Sequence, residues 1–497
     1  MNLLTIVIFI PLAGALGLVA VPGTEPRQQK FVAFVTSLVT FALSLGLWFG
    51  FDPSAAAPEF QFEQRSPWIP TIGIGYHVGL DGVALLLVML TTVLTPIVVL
   101  SAWRAVEERV KEFMIALLVL ETAMIGTFAA LDLVLFYVFW ELILVPMYLL
   151  IGIWGSQNRL YATIKFFVYT FAASVLMLIA ILYVYFHAGG TFDYVDARAA
   201  LQVTPEVGRW LFLAFALAFA VKVPMFPLHT WLPDAHTEAP TAGSVILAGV
   251  LLKMGTFGFF RYAMPLFPEA ALEYRSFIAI LAVIGILYGA LMSLVQTDMK
   301  RLVAYSSVSH LGFVMLGLMA LSAEGLTGGV YQMLNHGVST GGLFLLVGML
   351  YERRHTRLIS EYGGIAKQVP KIATVFVIVT LSSVGLPGTN GFVGEFLILS
   401  GTWLSRLGSS AVFATIGALS GARIGVWPRL REIMLVVLGV LLPVFMGSLD
   451  NTILASALPT IGREFGDVHN LPWLVTAYLI ANTAVTALYG KISDIHG

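Results

Sequence analysis

Cysteine is missing from this chain of 497 residues. Without thiols the chain forms no disulfides, holds no cysteine-ligated iron–sulfur cluster and offers no thiol nucleophile. Charge is scarce as well: Asp, Glu, Lys and Arg make up 11% of the residues, and the net charge at pH 7 is −1. A chain so close to neutral shows no electrostatic sign of a nucleic-acid partner. If the protein takes part in redox chemistry, the redox centres lie on other subunits.

Long apolar runs fill most of the chain. The residues are 58% hydrophobic and the mean hydropathy is +0.90, which is typical of an all-α polytopic membrane protein and of no soluble class. No long polar segment leaves room for a soluble catalytic domain. The apolar start lacks a positive n-region, so it predicts a retained first helix. About fifteen spans are predicted, at 3–21, 31–50, 80–102, 113–130, 132–153, 164–187, 210–226, 243–263, 274–296, 302–320, 328–350, 372–386 with a continuation from 392, 409–426, 433–458 and 472–490.

The basic residues alternate between the two sets of loops. One set, which includes the loops after spans 1, 3, 5, 7, 9, 11 and 13, carries eighteen Lys and Arg residues, and the other set carries seven. Cytoplasmic loops are the ones enriched in Lys and Arg. The bias therefore predicts that the first set of loops is cytoplasmic and that the N-terminus lies on the outer side of the membrane.

Two spans are predicted to be broken. Two prolines interrupt the seventh span near 222–227, and a glycine-rich stretch interrupts the twelfth near 385–391. Irregular backbone is tolerated at membrane depth only inside protein or beside a water-filled cavity. Interrupted helices in corresponding positions indicate inverted repeats of the transporter type. The spacing predicts two five-helix repeats, spans 4–8 (113–263) and spans 9–13 (274–426).

Four ionisable residues lie within apolar spans: Glu141, Lys222, Lys253 and Glu395. A charge at the centre of a bilayer costs roughly 3 kcal/mol or more, so such residues mark interior or water-lined routes. We expect a route for protons or other ions, with Glu141 and Lys222 as a pair and Glu395 as the last station. The alternative is a set of buried ion pairs that only fixes helix positions, although ion pairs of this kind are a weak source of stability.

Several further polar residues are candidates for the same route. His310 and His336 lie in apolar spans, and histidine can carry a proton near neutral pH. His229 and His236 flank the broken seventh span, with satisfied packing as the alternative to a relay role. A metal site from these two histidines and Asp234 is not expected, because their spacing matches no standard ligand set.

Two acidic residues of the fourth and fifth spans are less informative. Glu121 is predicted either to support the route or to form a hydrogen bond in helix packing. Asp132 lies at a short turn, where it is predicted to cap the next helix.

Five stretches of the sequence are distinctive: FWELILVPMYLL at 139–150, KVPMFPLHTWLPDAHTEAP at 222–240, LKMGTFG at 252–258, DMKRLVAYSSVSH at 298–310 and GLPGTNGFVGEF at 385–396. They closely resemble the subunit M family of bacterial NADH-quinone oxidoreductase, respiratory complex I. The resemblance covers roughly residues 1–402, which implies a membrane protein of the bacterial inner membrane.

The resemblance implies an antiporter-like subunit that translocates protons and is driven by redox chemistry elsewhere in the complex. The key glutamate, two lysines and terminal glutamate of the family match Glu141, Lys222, Lys253 and Glu395, and its channel histidines match His310 and His336. NADH, FMN, iron–sulfur clusters and quinone are then expected on other subunits, with no cofactor or metal on this chain. Partners would be membrane-arm subunits, above all neighbouring antiporter-like ones. A subunit of a multi-subunit sodium/proton antiporter is the alternative.

The C-terminal part of the chain resembles a different family. After a poorly matched junction at 403–428, residues 429–497 resemble the first two helices of a drug:proton antiporter of the major facilitator superfamily. The resemblance rests on LDNTILASALP at 449–459, WLVTAYL at 473–479 and GKISDIHG at 490–497. Two helices cannot form an alternating-access site, so no drug export is expected, and Asp450 has no place in the route. A gene fusion and a mis-joined reading frame both stay open.

Overall fold

Helices dominate the fold, which is known from a computed structural model. The structure describes residues 2–405 and the single positions 407, 412, 413 and 415. Nineteen α-helical segments occur in this part of the chain. They are α1 (Leu3–Ala20), α2 (Pro26–Gly50), α3 (Gly82–Ala105), α4 (Val110–Ala129), α5 (Leu133–Leu142), α6 (Leu144–Trp154), α7 (Arg159–His187), α8 (Tyr194–Ala200), α9 (Pro205–Lys222), α10 (Trp231–Glu238), α11 (Thr241–Ile246), α12 (Leu252–Gly258), α13 (Met264–Leu266), α14 (Pro268–Leu294), α15 (Met299–Ala320), α16 (Ala323–Arg354), α17 (Ile365–Gln368), α18 (Pro370–Ser383) and α19 (Asn390–Leu404).

Ten helical segments of the described region are long and apolar enough to cross a membrane. They coincide with predicted spans 1–6 and 8–11. The seventh predicted span is α9, and the twelfth is the pair α18 and α19. Predicted spans thirteen to fifteen lie outside the described residues apart from 412, 413 and 415, and so does the segment 429–497. A membrane protein of at least this helical content is established, and the count of fifteen stays a prediction.

Both predicted breaks are present, and a neighbouring side chain satisfies the backbone at each of them. Helix α9 ends at Lys222, and the indole of Trp231 donates to the Val221 carbonyl at 2.9 Å. Helix α18 ends at Ser383, and the Asn335 amide donates to the Asn390 carbonyl at 2.7 Å. A carbonyl left without a partner at membrane depth would cost several kcal/mol. The breaks are therefore supported from inside the protein.

The membrane segment from Thr241 to Leu266 is a continuous but irregular helix. Two π-helical turns, Leu247–Leu251 and Phe259–Ala263, flank α12. Single π turns within α-helices often occur at functional sites because they shift the hydrogen-bond pattern by one residue. Helices α14, α15, α16 and α19 pack together beside this segment, and α15 is buried along almost its whole length.

Two further basic residues, outside the predicted route, are buried in the structure. Lys300 lies in the first turn of α15 and donates to the Ala239 carbonyl. Arg261 lies in the second π turn and pairs with Asp81. A long side chain near a helix end can find a partner inside the bundle that the sequence does not reveal.

A two-stranded antiparallel hairpin, β1 (Gln61–Ile69) and β2 (Ile74–Leu80), occupies most of the long connection after α2. These strands were not predicted, because their apolar residues do not alternate cleanly. His77 of β2 is buried, with Nδ1 at 2.5 Å from Asp193 and Nε2 at 2.9 Å from Glu63. Asp193 also caps α8 and lies 3.3 Å from Arg65. One histidine thus fastens the hairpin to the connection between α7 and α9.

The charge of His77 is stabilised where it lies. Burial is the largest single effect and opposes the charge, but the hydrogen bonds and charges of Asp193 and Glu63 outweigh it and raise the pKa of His77. The same contact lowers the pKa of Asp193 despite its burial. A raised histidine pKa gives stability that is complete below the unfolded value of about 6.5 and is lost as the pH rises through the folded value.

Replacement of His77 by Gln should therefore destabilise the protein more at pH 6 than at pH 9. The expected loss at pH 6 is about 2 kcal/mol, the scale of a hydrogen bond to a charged group. Thermal unfolding of the two proteins in detergent measures the difference at each pH. The matched control is the exposed His187, whose replacement by Gln should cost little stability. A difference between wild type and His77→Gln that stays constant from pH 6 to pH 9 would contradict the assignment.

Candidate functional site

The first pair of intramembrane charges lies where α5 meets the end of α9. Lys222 is 1% exposed, and its Nζ lies 5.0 Å from the ring centroid of Trp140. Glu141 follows Trp140 on α5, and its carboxylate interacts with the Lys222 charge and with Ser174 and Tyr137. The two groups form no direct ion pair, since the Lys222 ammonium has no hydrogen-bond partner among the described residues. Lys222 and Glu141 therefore interact electrostatically without forming a direct ion pair.

Lys253 lies at the centre of the irregular membrane segment and is completely buried. Its Nζ contacts Nδ1 of His336 at 2.6 Å and donates to the Ala248 carbonyl in the preceding π turn. The close approach of α16 to that turn depends on Gly337, where a Cβ would lie 2.9 Å from the Gly249 carbonyl oxygen. The π turn and the glycine together bring lysine and histidine into contact.

Glu395 lies in α19, just after the second break, and is 8% exposed. Its Oε1 lies 3.5 Å from Nδ1 of His310 on α15 and 3.5 Å from Nε2 of Gln332 on α16. The hydroxyl of Ser383, the last residue of α18, lies 3.2 Å from Nε2 of His310. Both ring nitrogens of His310 therefore face polar groups that border the broken helix.

His310 and His336 connect these two clusters. Their ring centroids are 5.6 Å apart. Lys253, His336, His310 and Glu395 thus form one buried line of ionisable side chains, which we call the polar line, drawn from four helices. Buried titratable groups in series are the usual elements of a proton relay.

The two histidines around the first break have different surroundings. His236 is fully buried, stacks on Phe344 with ring centroids 4.6 Å apart, and has no hydrogen-bond partner for either ring nitrogen among the described residues. His229 lies beside Tyr288 at 4.8 Å between ring centroids. Asp234 pairs with Lys165 at 2.7 Å. These three side chains face separate neighbours, so the geometry brings no common metal site together.

The two remaining acidic candidates are both buried. Asp132 accepts from the amides of Val134 and Leu135, which confirms the predicted cap of α5, and it also accepts from Gly75 of the hairpin at 3.0 Å. Glu121 is completely buried in α4 with the hydroxyl of Thr95 on α3 beside it, which makes it a contact between these two helices.

Comparison with known proteins identifies the family. The model of the family described as NADH:quinone oxidoreductase/Mrp antiporter, TM, matches residues 130–420. NADH-quinone oxidoreductase subunit M of Rhodobacter capsulatus is 50% identical over 446 residues, covering 86% of this chain and 85% of that one. The chain belongs to the subunit M family of NADH-quinone oxidoreductase. NADH-ubiquinone oxidoreductase chain 4 of Arabidopsis thaliana is 45% identical, with 84% of each chain covered.

Solved structures show the same fold. A chain of respiratory complex I from Thermus thermophilus with bound NADH matches with a TM-score of 0.75 and 34% identity, covering 86% of this chain and 89% of that one. A chain of the Mrp complex from Dietzia sp. matches with a TM-score of 0.74 but only 21% identity, covering 85% of this chain and 47% of that one, so it shows the fold alone. The relation of the subunit M family to Mrp-type antiporters is visible in both kinds of comparison.

Sequence reasoning missed some polar neighbours in this member of the subunit M family. Gln332 contacts Glu395 and Ser383 contacts His310 in the polar line, and Trp140 packs against the Lys222 ammonium. Gln332 precedes His336 by one helical turn on α16, which was the available signal for it. Ser383 and Trp140 are common residues in apolar helices, so only their position in the fold reveals a role.

Gly385 controls the space beside Glu395. Its φ is +73°, and a Cβ would lie 2.6 Å from Oε2 of Glu395. Gly388 of the same break also has a positive φ of +94°, but a Cβ there would meet nothing within 4 Å. Gly385→Ala should therefore lower the unfolding temperature clearly more than Gly388→Ala. Each change carries roughly 1–2 kcal/mol of left-handed strain, and only the first adds a collision with the carboxylate.

The measurement is thermal unfolding of both variants in detergent at one pH. Gly388→Ala is the matched control, since it carries the strain without the collision. Equal losses in the two variants would show that the carboxylate of Glu395 is not held against Gly385.

Proposed function

We propose that this chain translocates protons across the membrane as subunit M of NADH-quinone oxidoreductase, using Glu141, Lys222, Lys253, His336, His310 and Glu395. The observation that carries the proposal is the polar line, in which Lys253, His336, His310 and Glu395 follow one another inside the protein. Charges this deeply buried are costly. Structural ion pairing does not account for the two lysines, because neither has a carboxylate within ion-pair distance among the described residues.

Electrostatic coupling of the two lysines to their neighbours drives the proposed transfers. A change in the charge of Glu141 alters how strongly Lys222 holds its proton, because the two groups interact without direct contact. Lys253 can pass a proton to Nδ1 of His336, at 2.6 Å. His310 then receives it across the gap between the rings and delivers it toward Oε1 of Glu395, at 3.5 Å. Either histidine nitrogen can carry the proton, which suits both residues to this task.

The redox chemistry belongs to other subunits in this proposal. NADH, FMN, iron–sulfur clusters and quinone are assigned to the rest of the complex, and this chain contributes no cofactor site. Its partners are membrane-arm subunits, above all neighbouring antiporter-like ones. The membrane is the bacterial inner membrane, with the N-terminus on the outer side, as the excess of basic residues in alternate loops favours.

We further propose that the membrane part consists of two inverted five-helix repeats. The break after Lys222 falls in the fourth span of the first repeat, and the break after Ser383 falls in the fourth span of the second. Both breaks adjoin an ionisable residue of the route. This correspondence is what an internal duplication with inverted topology requires.

The alternative function is that of a subunit in a multi-subunit sodium/proton antiporter. The shared fold with a chain of the Mrp complex favours it, whereas the 50% identity to a subunit M favours the redox-linked function. The two differ in ion dependence. Proton movement that follows NADH oxidation in sodium-free medium supports the first, and movement that needs a sodium gradient supports the second.

Lys222→Met should abolish most NADH-driven proton translocation while the complex still assembles. Methionine keeps the packing against Trp140 and removes the positive charge that interacts electrostatically with Glu141. Proton uptake by proteoliposomes, measured per NADH oxidised by the purified complex, is the readout.

The matched control is Lys367→Met, which removes an equal charge from an exposed position. It should leave pumping unchanged. Normal pumping in an assembled Lys222→Met complex would favour a purely structural role for the buried charges.

The C-terminal segment that resembles a major facilitator protein adds no activity of its own in this proposal. Residues 423–497 expressed alone should confer no drug efflux on cells, because two helices supply neither half of an alternating-access site. Accumulation of a fluorescent substrate in cells lacking their own exporters measures this, with an intact exporter as positive control. Efflux above the empty-vector level would show that the segment works independently. The mass of the native C-terminus would distinguish a fusion from a mis-joined frame.

A further inference from the structure

A large cavity opens where the ends of five helices meet, away from the polar line. Its volume is about 1280 Å³, which exceeds the usual range of small-molecule sites. The walls come from the C-terminal ends of α3 and α16, the N-terminal turn of α7 with the loop before it, and the first turns of α11 and α15. It lies at the end of the bundle that carries the basic loops.

The lining of this cavity is strongly basic. Arg104, Arg159, Lys300, Arg353 and Arg357 face it, against a single carboxylate from Glu352. Lys300, in the first turn of α15, is buried, and its ammonium donates to the Ala239 carbonyl. The positive charge is thus concentrated at one place instead of being spread over the loops.

Three of the arginines have no carboxylate partner within the described part of the chain. Arg159 donates to the carbonyl of Gly155 in the loop before α7 at 3.3 Å, and Arg353 donates to the carbonyl of Met349 in its own helix at 2.6 Å. The described residues place no carboxylate within ion-pair distance of Arg104. Arg357 differs, because its Nε bonds Asp298 at 3.1 Å. Most donors of the three unpaired guanidinium groups therefore remain available to a ligand, and such groups suit phosphate oxygens.

An apolar stripe begins at the rim of the cavity. Leu160 and Tyr161 line the cavity and are mostly exposed, and Ile164 and Val168 continue the exposed face along α7 at four-residue intervals. Side chains spaced by four residues lie one above the other on a helix. A molecule with its charged group in the cavity could therefore lay hydrocarbon along this face.

We propose that the cavity binds the headgroup of an anionic phospholipid, with the phosphate held by Arg104, Arg159 and Arg353 and the acyl chains along the exposed face of α7. Basic pockets between membrane helices on the positively charged side are suited to such headgroups. A soluble phosphate compound would make no use of the apolar stripe, and an acidic protein segment would leave its membrane-depth part uncovered. The combination of charge and exposed hydrocarbon favours a lipid.

The test uses the whole purified complex and a triple variant, Arg104→Gln, Arg159→Gln and Arg353→Gln. A matched triple variant, Arg27→Gln, Lys367→Gln and Lys371→Gln, removes the same charge from exposed positions outside the cavity. Both are placed in nanodiscs of phosphatidylcholine with increasing phosphatidylglycerol, and the unfolding temperature is recorded. Mass spectrometry counts the phospholipids that remain bound in detergent. The single change Arg159→Glu gives a second, milder variant.

Phosphatidylglycerol should raise the unfolding temperature of the wild type and of the matched variant, and the cavity variant should lose most of this rise together with a retained anionic phospholipid. Arg159→Glu should lose part of this rise in unfolding temperature.

Equal lipid retention in wild type and cavity variant would overturn the proposal. Equal protection by glycerol 3-phosphate would also overturn it, since a free anion would then suffice. Loss of a neighbouring subunit from the cavity variant with unchanged lipid content would make the cavity a protein interface instead. NADH-driven pumping by the cavity variant is recorded separately, so failure here leaves the proposed function standing.

Discussion

The constraint on which the rest of the structure depends is that polar backbone at membrane depth needs a partner within the protein. Two helices end inside the bundle, after Lys222 and after Ser383. The indole of Trp231 donates to the end of the first helix, and at the second break the amide of Asn335 donates to Asn390, where the chain becomes helical again. An interrupted helix is tolerable only where such side chains surround it. The same surroundings provide the polar environment in which a buried ionisable group can exist.

The ionisable groups differ in how firmly they are held. Lys253 contacts both His336 and a backbone carbonyl. The Lys222 ammonium has no hydrogen-bond partner among the described residues and lies beside the ring of Trp140, within the electrostatic influence of Glu141. A group without a fixed hydrogen-bond partner responds most to a change in nearby charge, because little else determines its preferred state. This contrast gives Lys222 the character of a responsive site and Lys253 that of a connecting one.

The fold contains two kinds of helix irregularity, complete breaks and π turns. The breaks change the direction of the chain, and the π turns around α12 shift single carbonyl groups without ending the helix. The carbonyl of Ala248 in one π turn accepts from Lys253. At the positively charged end of the bundle, ordinary helix ends converge and their arginines line the cavity. At the breaks, the π turns and the helix ends around the cavity, backbone groups or basic side chains are thus available for polar contacts.

By itself the sequence determined the membrane class, ten of the spans, both breaks and the four ionisable residues within apolar spans. These features are local, since hydropathy, proline and glycine act on the segment that contains them. Only the tertiary structure decided that His336 contacts Lys253, that Ser383 and Gln332 border the polar line, and that Lys300 is buried. Such contacts join residues distant in the chain, and the packing of helices sets them. The hairpin strands also needed the fold, because His77 and Asp193 meet across 116 positions of sequence.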